Sequence, residues 1–274
     1  MIRLALRVAR ADAELVLAEL LELAPAGVEE VDRGETIEYA VYGAPGELPA
    51  LPALRAAAGA ALVDVTTTEV ADDWATRWRT FHEPVTIGER LHVRPPWTDP
   101  PPPEAGLLDV AIDPAQAFGT GAHATTRLCL EALLELPPEG PLLDLGCGSG
   151  VLAIAAAKLG WEPVLGLDHE RASVVATRDN AAVNGVAVQA RDYDLLRDGP
   201  PPSAPTVVAN LLRPLLLALA AGGFTGERPR VLVASGLLAH EADEVAAAFA
   251  RGGLRERARR RRGEWAALVL VAPA

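Results

Sequence analysis

Leu142-Leu143-Asp144-Leu145-Gly146-Cys147-Gly148-Ser149-Gly150, running into Val151-Leu152-Ala153-Ile154-Ala155-Ala156-Ala157, is the stretch from which the fold can be read. A short apolar segment, an acid, three alternating glycines and an alanine-rich run spell strand, turn and helix. The turn offers bare backbone at Gly146 and Gly148 for a ligand to approach. A dinucleotide fingerprint spaces its glycines G-x-G-x-x-G, the third letting the helix pack closely on the strand. Here the third glycine arrives one position early, at Gly150, and Val151 takes the fingerprint's last place.

Asp144 stands just before the turn, which puts its carboxylate at the mouth of the expected pocket. There it repels a pyrophosphate and attracts a cationic sulfonium with an amino-acid tail. Further on, Pro163-Val164-Leu165-Gly166-Leu167-Asp168 ends in a second acid, suited to accept hydrogen bonds from both hydroxyls of a ribose. The pair favours S-adenosylmethionine over a nicotinamide as cofactor, although glycine turns after strands also occur without any ligand.

Downstream, helical and extended patterns alternate. Glu170–Asn184 reads as a helix, Val186–Ala190 as a strand ending at Asp192, and Thr206–Ala209 as a strand closing at Asn210. Leu211–Ala221 and Leu238–Arg251 read as helices around a strand Pro229–Ala234, and Leu254–Arg260 pairs with Trp265–Val271. Such alternation predicts an α/β fold, a doubly wound parallel sheet with an antiparallel strand at its end. Ligands bind at the carboxyl ends of such strands, where Gly146, Asp168, Asp192 and Asn210 all fall.

The chain has 274 residues, enough for a catalytic domain of roughly 200 residues and a small companion. No apolar run approaches the ~20 residues that cross a bilayer, and no signal peptide opens the chain, so a cytoplasmic protein is expected. The two cysteines, Cys129 and Cys147, support neither a disulfide framework nor a zinc cluster, and no metal is expected. A formal charge of −12 argues against general nucleic-acid binding and suits a basic partner.

The front is a separate pattern. Ile2–Val8 alternates as a strand, Asp12–Leu23 has helical spacing, and Val28–Val31 and Thr36–Tyr42 flank a turn at Asp32–Glu35. Leu48–Ala58 reads as a short helix and Ala61–Val70 as a last strand, the element order of a ferredoxin-like domain. Asp72–Arg79 then reads as an acid-capped helix whose Trp74 and Trp78, one turn apart, pin a linker. Two short strands over Val85–Val93 and one at Leu107–Ile112 lead to Asp113-Pro114-Ala115-Gln116-Ala117-Phe118-Gly119-Thr120-Gly121-Ala122-His123-Ala124-Thr125-Thr126. This loop is expected to fold over a ligand, with Phe118 as an apolar wall and Thr125 or Thr126 as donors; His123 reads as a loop or capping residue. The run Arg257–Arg262 reads as a solvated edge hairpin whose charges discourage strand-to-strand aggregation.

Asp113-Pro114 through Phe118-Gly119-Thr120-Gly121, His123, Thr125-Thr126, the Asp144–Gly150 turn and Ala209-Asn210-Leu211-Leu212 together resemble the signature of bacterial ribosomal protein L11 methyltransferases. The resemblance covers nearly the whole chain. It implies a class I, Rossmann-like methyltransferase with a seven-stranded doubly wound sheet behind a small N-terminal ferredoxin-like α+β domain. It implies methyl transfer from S-adenosylmethionine to lysine and N-terminal amines of a basic ribosomal protein. The expected division is substrate recognition in residues 1–70, a linker helix in 71–82 and catalysis in 83–274, in a monomer that touches neither membrane nor nucleic acid. By motif match, cofactor contacts fall on Thr125, Gly146, Asp168 and Asn210. Ala122, Ala124 and His169-Glu170-Arg171 depart from the family's usual residues.

On this reading the Asn210 side-chain oxygen orients the amine, Phe118 and Thr120 close the pocket, and Asp192 receives the adenine amino group. The alternatives are lysine methylation of another protein, such as an electron-transfer flavoprotein subunit, and a catalytically silent cofactor-binding regulator. The ferredoxin-like front speaks against the first, and the Phe118 loop together with Asn210 against the second.

Overall fold

The computed structural model describes the chain except at residues 1, 14–15, 18–19, 21–27, 44–47, 49–53, 56–57, 70–82, 114–120, 122 and 274. The chain divides into two compact units, Met1–Phe81 and His82–Ala274. The expected linker helix over 71–82 lies outside the described residues.

In the first unit, β1 (Ile2–Ala9), β2 (Glu29–Asp32), β3 (Thr36–Gly43) and β4 (Leu62–Glu69) form an antiparallel sheet in the order β2-β3-β1-β4. That is the ferredoxin-like order. Leu4, Leu6 and Val8 of β1 and Ile37 and Tyr39 of β3 alternate onto one face. Helical turns bring Ala13, Val16 and Leu20, and later Leu54 and Ala58, against that face. The Tyr39 hydroxyl donates to Ala13 O at 3.0 Å, which lets a buried phenol keep its hydrogen bond.

The second unit opens with a three-stranded sheet, β5 (Val85–Ile87), β6 (Leu91–Arg94) and β7 (Leu108–Ala111), antiparallel and then parallel. Its main sheet has seven strands: β8 (Leu142–Leu145), β9 (Val164–Asp168), β10 (Val188–Asp192), β11 (Thr206–Asn210), β12 (Val231–Leu238), β13 (Arg255–Arg262) and β14 (Trp265–Val271). The order is β10-β9-β8-β11-β12-β14-β13, parallel from β10 to β12. The antiparallel strand is therefore β14, one place in from the edge, and not the terminal strand that the sequence pattern predicts. The β13–β14 hairpin folds back so that its apolar half, buried from Ala266 to Leu270, lies inside and its arginine half outside.

Helices α1 (Ala124–Glu135), α2 (Val151–Leu159) and α3 (Arg171–Val183) cover one face, and α4 (Arg213–Gly222) and α5 (Ala242–Arg251) the other. Side chains divide between the faces by the strand period of two. Leu142 and Val208 join the α1–α2 core, whereas Leu143, Leu145, Val207 and Ala209 join the core with Leu216, Val245 and Phe249. Burial on both faces is why these strands are near-continuous apolar runs. The last helix starts at Ala242, since Val231–Leu238 continues as strand where the sequence suggests helix from Leu238. Among the described residues no helix is long and apolar enough to cross a membrane.

Candidate cofactor and amine site

The glycine turn between β8 and α2 is built as its spacing requires. Gly146, Gly148 and Gly150 have φ of 73°, 52° and 83°, a left-handed region that disfavours side chains. A Cβ at Gly146 would lie 2.5 Å from Leu211 Cδ2, and one at Gly150 would lie 3.0 Å from the Cα of Thr177. Asp168, at the end of the neighbouring strand β9, accepts the Gly148 N–H through Oδ2 and the Glu170 N–H through Oδ1, both at 2.9 Å.

Asp144, expected at the mouth of the pocket, is instead fully buried behind the turn. The pleat explains the correction: Leu143 and Leu145 face α4 and α5, so Asp144 faces the α1–α3 layer, beneath the first turn of α2. Its Oδ2 accepts the Ala153 N–H at 3.1 Å, and so serves as a remote cap for a helix whose own N-cap, Gly150, has no side chain. Oδ1 has no hydrogen-bond partner among the described residues. Burial raises the carboxyl pKa to about 7. Cys147 is buried in the turn, its thiol pushed up to about 12 chiefly by desolvation. It accepts a hydrogen bond from Thr177 Oγ1 at 3.3 Å.

Two asparagines, the buried Asn180 of α3 and the half-buried Asn184 that caps its C-terminus, extend the scaffold. Asn180 Nδ2 donates to Ser149 O at 2.9 Å while its Oδ1 accepts the Asp113 N–H at 3.0 Å. Asn184 exchanges bonds with both Ala111 N–H and Ala111 O. The turn and the root of the following loop are thus held by one helix. Phe118 and Thr120, expected to close the pocket, lie outside the described residues.

Asn210, half-buried at the end of β11, donates from Nδ2 to Thr126 Oγ1 at 3.5 Å. His123 caps α1: its Nδ1 accepts the Thr125 N–H at 3.4 Å and lies 2.8 Å from Thr125 Oγ1. Its ring meets Trp265 edge-on, with centroids 5.0 Å apart. The capping role expected of His123 is the one it has.

These pieces enclose a cavity of about 490 Å³ that brings Thr125, Gly146, Gly148, Asp168 and Asn210 together, with Trp265 in its wall. A second cavity of about 300 Å³ adjoins it across Gly146, Asp168 and Leu211 and runs to Tyr193, Asp194 and Leu195. Neither is lined by lysine or arginine among the described residues, and both contain Asp168. Asp192, expected to meet an adenine, is exposed and lines neither cavity; the residues immediately after it do. Asp192 is level with Asp168 but stands on the edge strand β10, one strand farther from the glycine turn, and the chain reaches the second cavity only beyond that strand's end. Sequence reasoning missed Tyr193 and Asp194, which the rule of carboxyl ends reaches if extended two residues. It also missed Gly236, an isolated glycine within a strand pattern, which is a signal for a bulge.

The arginine run is an exposed edge strand, as its composition predicts. Arg259 pairs with Asp243 and Glu256, Arg260 with Glu135, and Arg262 with Glu131.

Comparison with known proteins agrees with this geometry. A family model described as ribosomal protein L11 methyltransferase (PrmA) matches residues 50–273. The ribosomal protein L11 methyltransferase of Geobacter metallireducens is 41% identical over 214 residues, covering 75% of this chain and 68% of its own. That of Burkholderia ambifaria is 38% identical over 276 residues, or 90% of each chain. Among solved structures, a ribosomal protein L11 methylase from Lactobacillus delbrueckii subsp. bulgaricus aligns with a TM-score of 0.63 at 28% identity, covering 70% of this chain and 100% of that one. The chain therefore belongs to the ribosomal protein L11 methyltransferase family, enzymes of Rossmann-like fold whose methyl donor is S-adenosylmethionine.

Proposed function

We propose that the chain methylates amines, lysine side chains and an N-terminal amine, of ribosomal protein L11 in the cytoplasm. The observation that carries this reading is the joined cavity, which offers Asp168 and Asn210 and presents no lysine or arginine among the described residues. A cationic donor and an amine that arrives as a cation both find complementary surroundings there.

S-adenosylmethionine supplies an already activated methyl group, so the chain's own residues have to bind, orient and exclude water. The residues present fit it: Gly146 and Gly148 give close backbone approach, Asp168 offers acceptors for a ribose, and the Tyr193–Leu195 cavity gives an apolar slot for a base. Asn210 spends its Nδ2 on Thr126, which turns its Oδ1 to accept an N–H from the incoming amine. The amine must be neutral to react, and desolvation in a closed pocket lowers its pKa without a dedicated base. Phe118 and Thr120 complete that closure in this reading. Residues 1–70 recognise the substrate, residues 71–82 link the units, and the enzyme works as a monomer.

Incubation with purified ribosomal protein L11 and S-adenosylmethionine, followed by intact-mass and peptide mapping, tests substrate and reaction together. Mass gains in whole methyl steps on amines are expected; modification confined to other side chains would overturn amine specificity. Asn210→Ala is expected to lose turnover far more than affinity for the cofactor, and the opposite split would remove Asn210 from the amine's side of the site.

A further inference from the structure

Asn210 and Ser235 are register partners in the parallel β11–β12 ladder, and the Leu211 N–H donates to Ser235 O at 3.0 Å. Ser235 is fully buried, and its hydroxyl donates to Ala266 O at 2.9 Å and reaches Thr125 O at 3.4 Å. One corner of β12 is therefore bonded to β11, to β14 and to the start of α1, the three segments that supply Asn210, Trp265 and Thr125.

The next residue is Gly236. The β12–β14 register shifts between Ser235 and Leu237, so Gly236 is the extra residue of a bulge, with φ of 85°. It lines the cavity and lies against the backbone of Leu211. A Cβ there would meet Leu211 O and sit 2.7 Å from its carbonyl carbon and 2.9 Å from its nitrogen. All three are main-chain atoms, so no rotamer change relieves the contact. Any side chain at 236 must push the backbone that immediately follows Asn210.

We infer that Gly236 is a positioning residue for methyl transfer: its bulge lets β12 close on Leu211 and so sets where Asn210 presents its amide. The inference rests on the reading of Asn210 as the residue that orients the amine. Gly236 carries no group that touches the reacting atoms, so its effect falls on turnover and reaches the cofactor only weakly.

The test uses the full-length chain with ribosomal protein L11 as substrate and S-adenosylhomocysteine as calorimetric probe. Gly236→Ala and Gly236→Asn are compared, because Asn tolerates a left-handed backbone yet carries the same Cβ. Both are expected to lower kcat by about 100-fold, the size of effect that a misplacement of about 1 Å produces, while the Kd for S-adenosylhomocysteine changes by less than about tenfold. Adding Leu211→Ala to Gly236→Ala is expected to restore nothing, since the obstructing atoms are backbone. Near-normal turnover in either variant, rescue by Leu211→Ala, or loss of probe binding in both variants overturns the inference; the last outcome makes the bulge a requirement of the fold alone. Asn210→Ala, assayed alongside, separates the two readings. If it keeps its turnover, the Asn210 reading fails and takes this inference with it. If it loses turnover while Gly236→Ala does not, only the role of Gly236 fails.

Discussion

The amide of Gly148 donates to Oδ2 of Asp168 at 2.9 Å, so the acid that ends β9 is bonded to the turn that ends β8. Asp168 lines both cavities and spends one oxygen on each of two backbone amides. Asp168→Ala is expected to weaken S-adenosylhomocysteine binding by roughly 10–100-fold, the loss of about one or two charge-assisted hydrogen bonds. Asp168→Asn keeps the shape but turns a donor toward one of those amides, and should lose nearly as much. Titration calorimetry decides; an unchanged Kd takes Asp168 out of the cofactor site.

Asp144 predicts a pH dependence of stability. Its carboxyl titrates near pH 7 in the fold because burial disfavours the charge, against about 3.9 in an unfolded chain. Between these values the folded state holds a proton that the unfolded state has released, so rising pH costs stability across that window. Below it both states are protonated, and above it both are ionised, so the contribution is flat on either side. Asp144→Asn, which keeps an acceptor for Ala153, removes this slope. The Tm of the variant minus that of the parent is expected to grow from pH 4 to pH 7 and then level off; a difference independent of pH would mean that Asp144 stays ionised.

Gly146→Ala places a methyl 2.5 Å from Leu211 Cδ2, the far end of a flexible side chain. Cofactor affinity is expected to fall, and Leu211→Ala added to it should recover part of the loss, leaving about 1 kcal/mol for the left-handed backbone. Gly150→Ala meets Thr177 Cα, a main-chain atom, so trimming the Thr177 side chain should leave the backbone contact in place. A double-mutant comparison of calorimetric Kd values checks both, and absence of rescue at Gly146 would show that the backbone conformation alone matters there.

Asn180→Ala removes a hydrogen bond to Ser149 O and one from the Asp113 N–H together. Loss of these two hydrogen bonds, one of them inside the buried turn, is expected to cost about 2 kcal/mol, or roughly 4–8 °C in the melting of a unit of this size. Differential scanning calorimetry reads this directly; a drop below about 2 °C would mean that water replaces both bonds.

Much of the fold is legible in the chain because its signals are local. Three alternating glycines between the leucine-rich segment Leu142–Leu145 and an alanine run leave few backbones other than strand, left-handed turn and helix. Ser149 and Val151 stand where Cβ atoms are tolerated, whereas Gly146, Gly148 and Gly150 stand at positive φ. The alternation of Leu4, Leu6 and Val8 announces a one-sided strand just as plainly. His123 before Thr125 reads as a cap because that pairing needs only neighbours in sequence.

The site is less legible wherever its meaning depends on which way a strand faces or where it stops. Asp144 looks like a residue of the pocket mouth because it precedes the glycines, and the pleat turns it inward. Asp192 looks like an adenine partner because it ends a strand, but that strand is the sheet's edge, and Asp192 lies outside both cavities while Tyr193 and Asp194 line one of them. Gly236 has no fingerprint around it, and its close approach to Leu211 exists only once β11 and β12 lie side by side.

From its residues alone the chain determines most of its element types and its glycine turn, because these follow from φ restrictions and side-chain period within short windows. Tertiary structure alone decides which acid meets the ligand and which supports a helix from behind, and it brings Asn210, Thr126 and Gly236 together across the sheet. Strand order and facing are set by burial summed over the whole core, a quantity that no single stretch of sequence contains.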